Sequence, residues 1–201
     1  MLTVVGAGPG NPRHLTAEAI DTIESADVVM AFGRIAESIR SIRTDVIVLK
    51  TVSQVKRELE HKGNIVLLAS GDPTFYGIVG YLKKQDIPIG RIVPGLSSMQ
   101  YMFSRLGLEW HDANLITAHG RQLELVSILE RSLSAVLLDK ENTPDMISKA
   151  LYKSGARGRI HAGKNLSYED EVIMTCKIGE STGMESNLTM VVIENENYKG
   201  Q

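Results

Sequence analysis

The chain has a single cysteine, Cys176, among 201 residues, so no intrachain disulfide can form. A reducing, cytoplasmic setting is the expectation. A nucleophilic role for that thiol would need a base beside it. The apolar-rich stretch Val172-Ile173-Met174-Thr175 supplies none, so Cys176 reads as a small residue near a strand end. There is no long uncharged apolar run, hence no expected membrane span or membrane partner. The start, Met1-Leu2-Thr3-Val4-Val5-Gly6, carries no basic segment ahead of its apolar residues and is not read as a signal peptide. Charge of one sign is also missing: 22 basic against 24 acidic residues give a net −2. Nucleic acid is therefore not an expected partner, because general binders of it carry a basic excess. A small anion held by a few local arginines stays open. Arg34, Arg40 and Arg43 form one such block, for which a solvated helix face is the simpler reading. The five histidines, His14, His61, His111, His119 and His161, lack ligand spacing, and no protein-bound metal is expected.

The hydrophobic fraction is 43% and the charged fraction 23%, ordinary for a globular chain long enough for one large domain or two small ones. Strand-like and helix-like segments alternate. Strands are expected at Leu2–Gly6, Asp27–Phe32, Val46–Leu49, Asn64–Ser70 and Arg91–Val93. Helices are expected after Thr16, over Ile35–Ile42, from Ser53 to about His61, over Gly77–Lys84, and from Ser97 or Ser98 to Arg105. This repetition predicts an α/β fold with a mostly parallel sheet. Leu106–Asp112 breaks the rhythm, and a boundary near His111 separates expected domains at 1–111 and 112–201. The second begins with a strand at Ala113–Ala118, a helix over Leu123–Ser132, a strand at Ala135–Leu138 and a helix over Pro144–Ser154. Strands at Arg159–Gly163, Glu171–Thr175 and Leu188–Glu194 then predict antiparallel pairs in a second, mixed sheet. No repeat or low-complexity linker interrupts the chain.

Three glycine-bearing turns follow three of the expected strands. Gly71-Asp72-Pro73-Thr74-Phe75-Tyr76-Gly77 comes after the apolar run Ile65–Ala69. A carboxylate, a proline and two aromatics there suit the carboxyl end of a parallel strand, where α/β sheets bind ligands. Gly6-Ala7-Gly8-Pro9-Gly10-Asn11 has Asn where a dinucleotide fingerprint needs its third glycine, and Pro9, Asn11 and Pro12 delay the helix to Thr16. No Gly-Lys-Ser/Thr marks a Walker loop. Pro94-Gly95-Leu96-Ser97-Ser98-Met99-Gln100 offers two hydroxyls at a helix start but not the second glycine of a hydrolase elbow. Carboxyl ends of one parallel sheet share an edge, so the three turns form one constellation.

Together the turns resemble the tetrapyrrole methylase family. Gly107-Leu108-Glu109-Trp110-His111-Asp112-Ala113, Ala118-His119-Gly120-Arg121 and Gly163-Lys164-Asn165-Leu166-Ser167-Tyr168 with Glu171 are similar to the branch that methylates carbon 5 of the corrin precursor. The resemblance spans Leu2 to about Glu194, while Gly179–Ser186 departs from the pattern. It implies two α/β domains with an active-site cleft between them, a homodimer, and S-adenosyl-L-methionine as methyl donor. It implies that Pro9, Gly71, Asp72, Phe75, Ser97 and Ser98 line the donor site, with Leu138, Asn165 and Leu166 approaching from the second domain. The implied reaction converts cobalt-precorrin-7 to cobalt-precorrin-8. The chain ends at Gln201 without the decarboxylating domain of related aerobic enzymes, so a separate C15-methyltransferase partner is expected.

The chemistry agrees with this implication. Glycine turns bring backbone N–H and C=O groups close to a ligand. Asp72 is a partner for the donor's amino group or else a cap for the following helix. Transfer to carbon is an in-line displacement and asks for orientation and exclusion of water more than for a strong base. The substrate is an anionic tetrapyrrole rich in carboxylates. Arg121, beside Gly120, is the first candidate to bind one, and His119 the second or a proton carrier. Tyr76 and Gln100 complete the expected substrate-binding set, and no catalytic base is assigned. Two rivals remain: a sister methylase acting on another ring carbon or on a modified histidine, and a nucleotide-binding module without catalysis.

Overall fold

Burial of Val, Ile and Leu on both faces of five short strands builds the first sheet. The computed structural model describes residues 1–118, 123–184 and 189–198. Strands β1 (Leu2–Gly6), β2 (Val28–Phe32), β3 (Ile47–Leu49), β4 (Ile65–Ala69) and β5 (Arg91–Val93) pair in parallel in the order β3-β2-β4-β1-β5. β1 and β4 are buried at every position, as strands in a helix-covered parallel sheet should be. The helices lie on two faces. α1 (Ala17–Glu24) and α2 (Gly33–Ser38) bury Ala19, Ile23, Ile35 and Ala36 against Val5, Val29, Val66 and Leu68. α3 (Ser53–Glu58) and α4 (Val79–Lys84) bury Val55, Val79 and Leu82 against Leu2, Val4, Met30 and Leu67. Alternation along the strands sends consecutive residues to opposite helix layers. Thr16 caps α1, its hydroxyl accepting from Ala19 N at 3.1 Å. A 3-10 turn over Pro12–His14, capped by Asn11, fills the gap between β1 and α1.

The second sheet is mixed, as expected. β6 (Asn114–Thr117) and β7 (Leu133–Leu137) run parallel, and β10 (Thr189–Asn195) enters antiparallel to β7. β8 (Gly158–Lys164) and β9 (Val172–Lys177) complete the order β6-β7-β10-β8-β9 through antiparallel pairs. α6 (Leu125–Leu129) and α7 (Pro144–Lys153) cover one face, burying Ile128, Ile147 and Leu151 against Val136, Ile160, Ala162, Val191 and Ile193. Thr143 caps α7 and Pro144 occupies its first turn. Cys176 packs at the margin of this apolar cluster, where burial pushes its thiol pKa up, so it stays protonated.

Several elements are shorter than the sequence pattern suggests. α2 stops at Ser38, α3 at Glu58 and α6 at Leu129, and α4 starts at Val79 rather than Gly77. Ser53 is not a cap: Val52 holds that position, and the Gln54 side chain accepts from Lys50 N and Thr51 N instead. Nor is the Arg34–Arg43 block one solvated face. Arg40 pairs with Glu37, but Arg43 turns inward to Asp45 and donates to Ile23 O at 3.0 Å and Ala26 O at 2.5 Å. It thereby satisfies carbonyls that α1 leaves open at its end. The chain divides into two compact units, Met1–Ser98 and Met99–Gln201, so the division falls in the first turn of α5 (Ser98–Leu106), ahead of the expected boundary near His111. Among the described residues, no helix is long and apolar enough to cross a membrane.

Candidate functional site

In the first unit, β1 and β4 are neighbours whose connections leave in opposite directions. β1 leads to β2 on one side of the sheet and β4 leads to β5 on the other. That reversal is a topological switch point, the position at which an open α/β sheet leaves a crevice beyond its carboxyl ends. The turns at Gly6–Gly10 and Gly71–Gly77 stand at this point, and the turn after β5 stands beside it.

The three turns touch through their backbones. Gly8 and Gly71 form an isolated antiparallel bridge, with Gly71 N donating to Gly8 O at 2.8 Å and Gly8 N to Gly71 O at 3.3 Å. A Cβ on Gly6 would lie 2.5 Å from Gly95 N and 2.8 Å from Gly71 O, distances no real side chain tolerates. Gly6 and Gly95 are thus glycine because three main chains meet there. Gly8 and Gly71 carry positive φ of 70° and 65°, a second reason for glycine at the bridge. Tyr76 also adopts a positive φ, 51°, which is uncommon for an aromatic residue and places a half-exposed ring at the end of the middle turn. Its ring centroid is 4.7 Å from that of Phe75.

Asp72 ties the middle turn together and then to the third. Its Oδ1 accepts from Thr74 N at 2.7 Å and Thr74 Oγ1 at 2.5 Å, and its Oδ2 accepts from Gly95 N at 3.3 Å. It does not cap α4, whose N-cap is Ile78 with no side-chain cap bond. Partial burial alone would raise its pKa. The hydrogen bonds from Thr74, Gly95 and Phe75 prevail and hold the carboxylate below its ordinary range. Sequence reasoning passed over Thr74, although Asp-x-Thr is a turn signature that pairs those two side chains. The Gly8–Gly71 bridge had no local signal, because it joins residues far apart in the chain.

Pro9 is buried beside Gly8, Ser97 is buried, and Ser98 opens α5. Pro9, Gly71, Asp72, Phe75, Tyr76, Ser97 and Ser98 therefore belong to one group of turns at the sheet's carboxyl edge. In the second unit, Leu138 follows β7, is 2% exposed and donates its N–H to Thr189 O at 3.1 Å. Asn165 and Leu166 lie in the β8–β9 connection. Leu166 is 5% exposed and its Cδ2 would meet a Cβ on Gly163 at 2.9 Å, so its side chain packs inward. The side chains of Leu138 and Leu166 are thus both taken up in the packing of the second unit. Gln100 lies in α5, half-buried. His119 and Arg121 lie outside the described residues. Among the described residues, no group of three or more His, Cys, Asp or Glu side chains gathers as a metal site would.

A crevice of glycine turns, hydroxyls and one carboxylate at a switch point defines a ligand-binding α/β protein. The chain belongs to the tetrapyrrole (corrin/porphyrin) methylases, whose family model matches residues 1–182. A probable cobalt-precorrin-7 C(5)-methyltransferase of Methanocaldococcus jannaschii is 30% identical, over 98% of this chain and 99% of the relative. A cobalt-precorrin-7 C(5)-methyltransferase of Salmonella typhimurium is 32% identical, over 86% and 89%. Among solved structures, the uroporphyrin-III C-methyl transferase of Thermus thermophilus complexed with S-adenyl homocysteine superposes with a TM-score of 0.76 at 22% identity, covering 95% of both chains. That last likeness concerns the fold.

Proposed function

We propose that this chain is an S-adenosylmethionine-dependent C-methyltransferase that methylates carbon 5 of cobalt-precorrin-7 in cobalamin biosynthesis. The observation that carries the reading is the meeting of three glycine turns at the β1/β4 switch point, in a chain similar over nearly its whole length to enzymes named for that reaction. The residues suit the donor. Backbone lies open at Gly71, where an added Cβ would meet only Ser97 Cα at 3.7 Å, so a ligand can approach the main chain there. Asp72 supplies the site's negative charge, and the donor is cationic at sulfur and at its amino group.

The bound donor supplies a methyl group on a sulfonium, which the electron-rich ring carbon displaces in line. The work left to the chain is positioning. Asp72 fixes the middle turn against the third, so that N–H and C=O groups from Gly71 to Ser98 keep one arrangement. Pro9, Phe75, Ser97 and Ser98 wall the donor, and Leu138, Asn165 and Leu166 add contacts from the second unit, the two leucines through backbone groups. Tyr76, Gln100, His119 and Arg121 are assigned to the tetrapyrrole, with Arg121 taking a carboxylate bidentately. The reading includes a homodimer and a cytoplasmic location; sedimentation at micromolar concentration tests the first, and a monomer there would remove it.

Calorimetry with S-adenosylhomocysteine tests the donor assignment. One site per chain is expected, and no measurable binding would contradict it.

A further inference from the structure

The β8–β9 connection contains two non-glycine residues with left-handed backbone, Asn165 at φ 50° and Ser167 at φ 70°. Left-handed backbone is disfavoured for residues with a Cβ and persists where the surroundings enforce it. Bonds within the connection help to hold this form. Tyr168 N donates to Asn165 O at 3.0 Å, and Asn165 Nδ2 donates to Asp170 Oδ2 at 2.6 Å. A further restraint comes from Glu171, the last residue before β9.

The Glu171 side chain is 15% exposed and reaches back across the turn. Its Oε2 accepts from Ser167 N at 2.6 Å, a short charge-assisted bond to a left-handed residue. Its Oε1 accepts from Arg105 Nε at 3.2 Å, on α5 of the same unit. The Tyr101 hydroxyl, one helical turn before Arg105, also hydrogen-bonds to this carboxylate; burial first, and then Glu171, raise the phenol's pKa and keep it a donor. Met102, on the same helix, and Leu166 both close on Gly163, each reaching to 2.9 Å of where a Cβ would stand. Glu171 therefore joins α5 to the turn that carries Asn165 and Leu166.

We propose that Glu171 is a positioning residue for the methyl donor: it holds the Asn165–Ser167 turn in its left-handed form, so that Asn165 and the Leu166 backbone are presented in one geometry. The assignment rests on the donor reading above. Without the carboxylate, Ser167 N loses its acceptor and the turn relaxes toward ordinary backbone. Binding weakens while the reacting carbon, which Glu171 does not touch, is handled as before. The role is therefore to be seen in KM for the donor and in affinity for its product, with kcat nearly unchanged.

The experiment compares S-adenosylhomocysteine affinity by calorimetry, and donor KM and kcat, for the wild type, Glu171→Ala and Glu171→Gln. A third variant combines Glu171→Ala with Ser167→Gly. Glu171→Ala is expected to weaken binding about tenfold, the size of one lost charged hydrogen bond. Glu171→Gln, which keeps an oxygen acceptor, stays within about threefold of wild type. Ser167→Gly restores most of the affinity in the Glu171→Ala background, because glycine takes positive φ without strain. A merely structural glutamate would lower the melting temperature without this rescue. Should Glu171→Ala not fold, Glu171→Asp, one methylene too short for the Ser167 N–H, takes its place with the same expectations. Wild-type affinity in the variant, or no rescue by Ser167→Gly, overturns the assignment and leaves the donor reading standing. A wild type that does not bind S-adenosylhomocysteine overturns both.

Discussion

Asp72 illustrates how a single side chain serves a site by serving its backbone. Both carboxylate oxygens are engaged, one within the middle turn and one across to Gly95. Removing it leaves Thr74 N and Gly95 N without those acceptors and loosens the turns that would face the donor. Asp72→Ala is expected to weaken S-adenosylhomocysteine binding at least tenfold by calorimetry, with a smaller loss in melting temperature. The pH dependence has a definite sign. Hydrogen bonds lower the folded pKa of Asp72 below its unfolded value, near ~3.9. Its stabilisation is therefore complete above that value and is lost as pH falls through the folded pKa. The difference in melting temperature between wild type and Asp72→Asn should stay flat from about pH 5 to 8 and shrink below about pH 4. Asp145, whose pKa is likewise lowered, holds Ser181 and Thr182 to the start of α7 and adds a contribution of the same sign. Arg43 behaves differently because it is committed to main-chain carbonyls. Arg43→Met should cost about 2–3 kcal/mol in denaturant unfolding, since charged donors to buried carbonyls are hard to replace.

At the scale of elements, glycine has two meanings that substitution separates. Gly95→Ala forces a Cβ into the Gly6 and Gly71 main chains and is expected to unfold the turn cluster or abolish donor binding. Gly80→Ala, in α4, meets nothing within 4 Å and should stabilise the protein by roughly 0.5–1 kcal/mol through helix propensity. Thermal melts of the two variants check both signs. The parallel sheet was readable because β1 and β4 are largely apolar runs that lead into glycine turns, and the mixed sheet because its last three strands, β8 to β10, come without intervening helices. Helix ends were less readable. α2 and α3 pass into local turns, with Ile42 N bonding Ile39 O after the first and Glu60 N bonding Arg57 O after the second, and no periodicity announces that change. The three turns were legible as a group through shared glycine chemistry. The Asp72–Gly95 and Glu171–Ser167 bonds were not, since each depends on how a turn folds in space.

For the molecule as a whole, the architecture puts unlike duties on the two units. The first offers a switch-point crevice built largely of main chain at Gly6, Gly8, Gly71 and Gly95. In the proposed assignment the second unit adds the Asn165–Leu166 turn to the donor site and Arg121 to the tetrapyrrole site. The account thus predicts that donor affinity depends on Gly71, Asp72 and Gly95, while tetrapyrrole KM depends on Arg121, with Arg121→Ala raising that constant and leaving donor affinity alone. The most direct test is transfer itself. The protein is incubated with S-adenosylmethionine carrying a carbon-13 methyl group and with cobalt-precorrin-7, and the metal-free ring is run alongside. The account predicts one new labelled methyl at carbon 5 of the cobalt substrate, seen by NMR. A protein that binds S-adenosylhomocysteine yet leaves carbon 5 unlabelled, or labels another carbon, would contradict it.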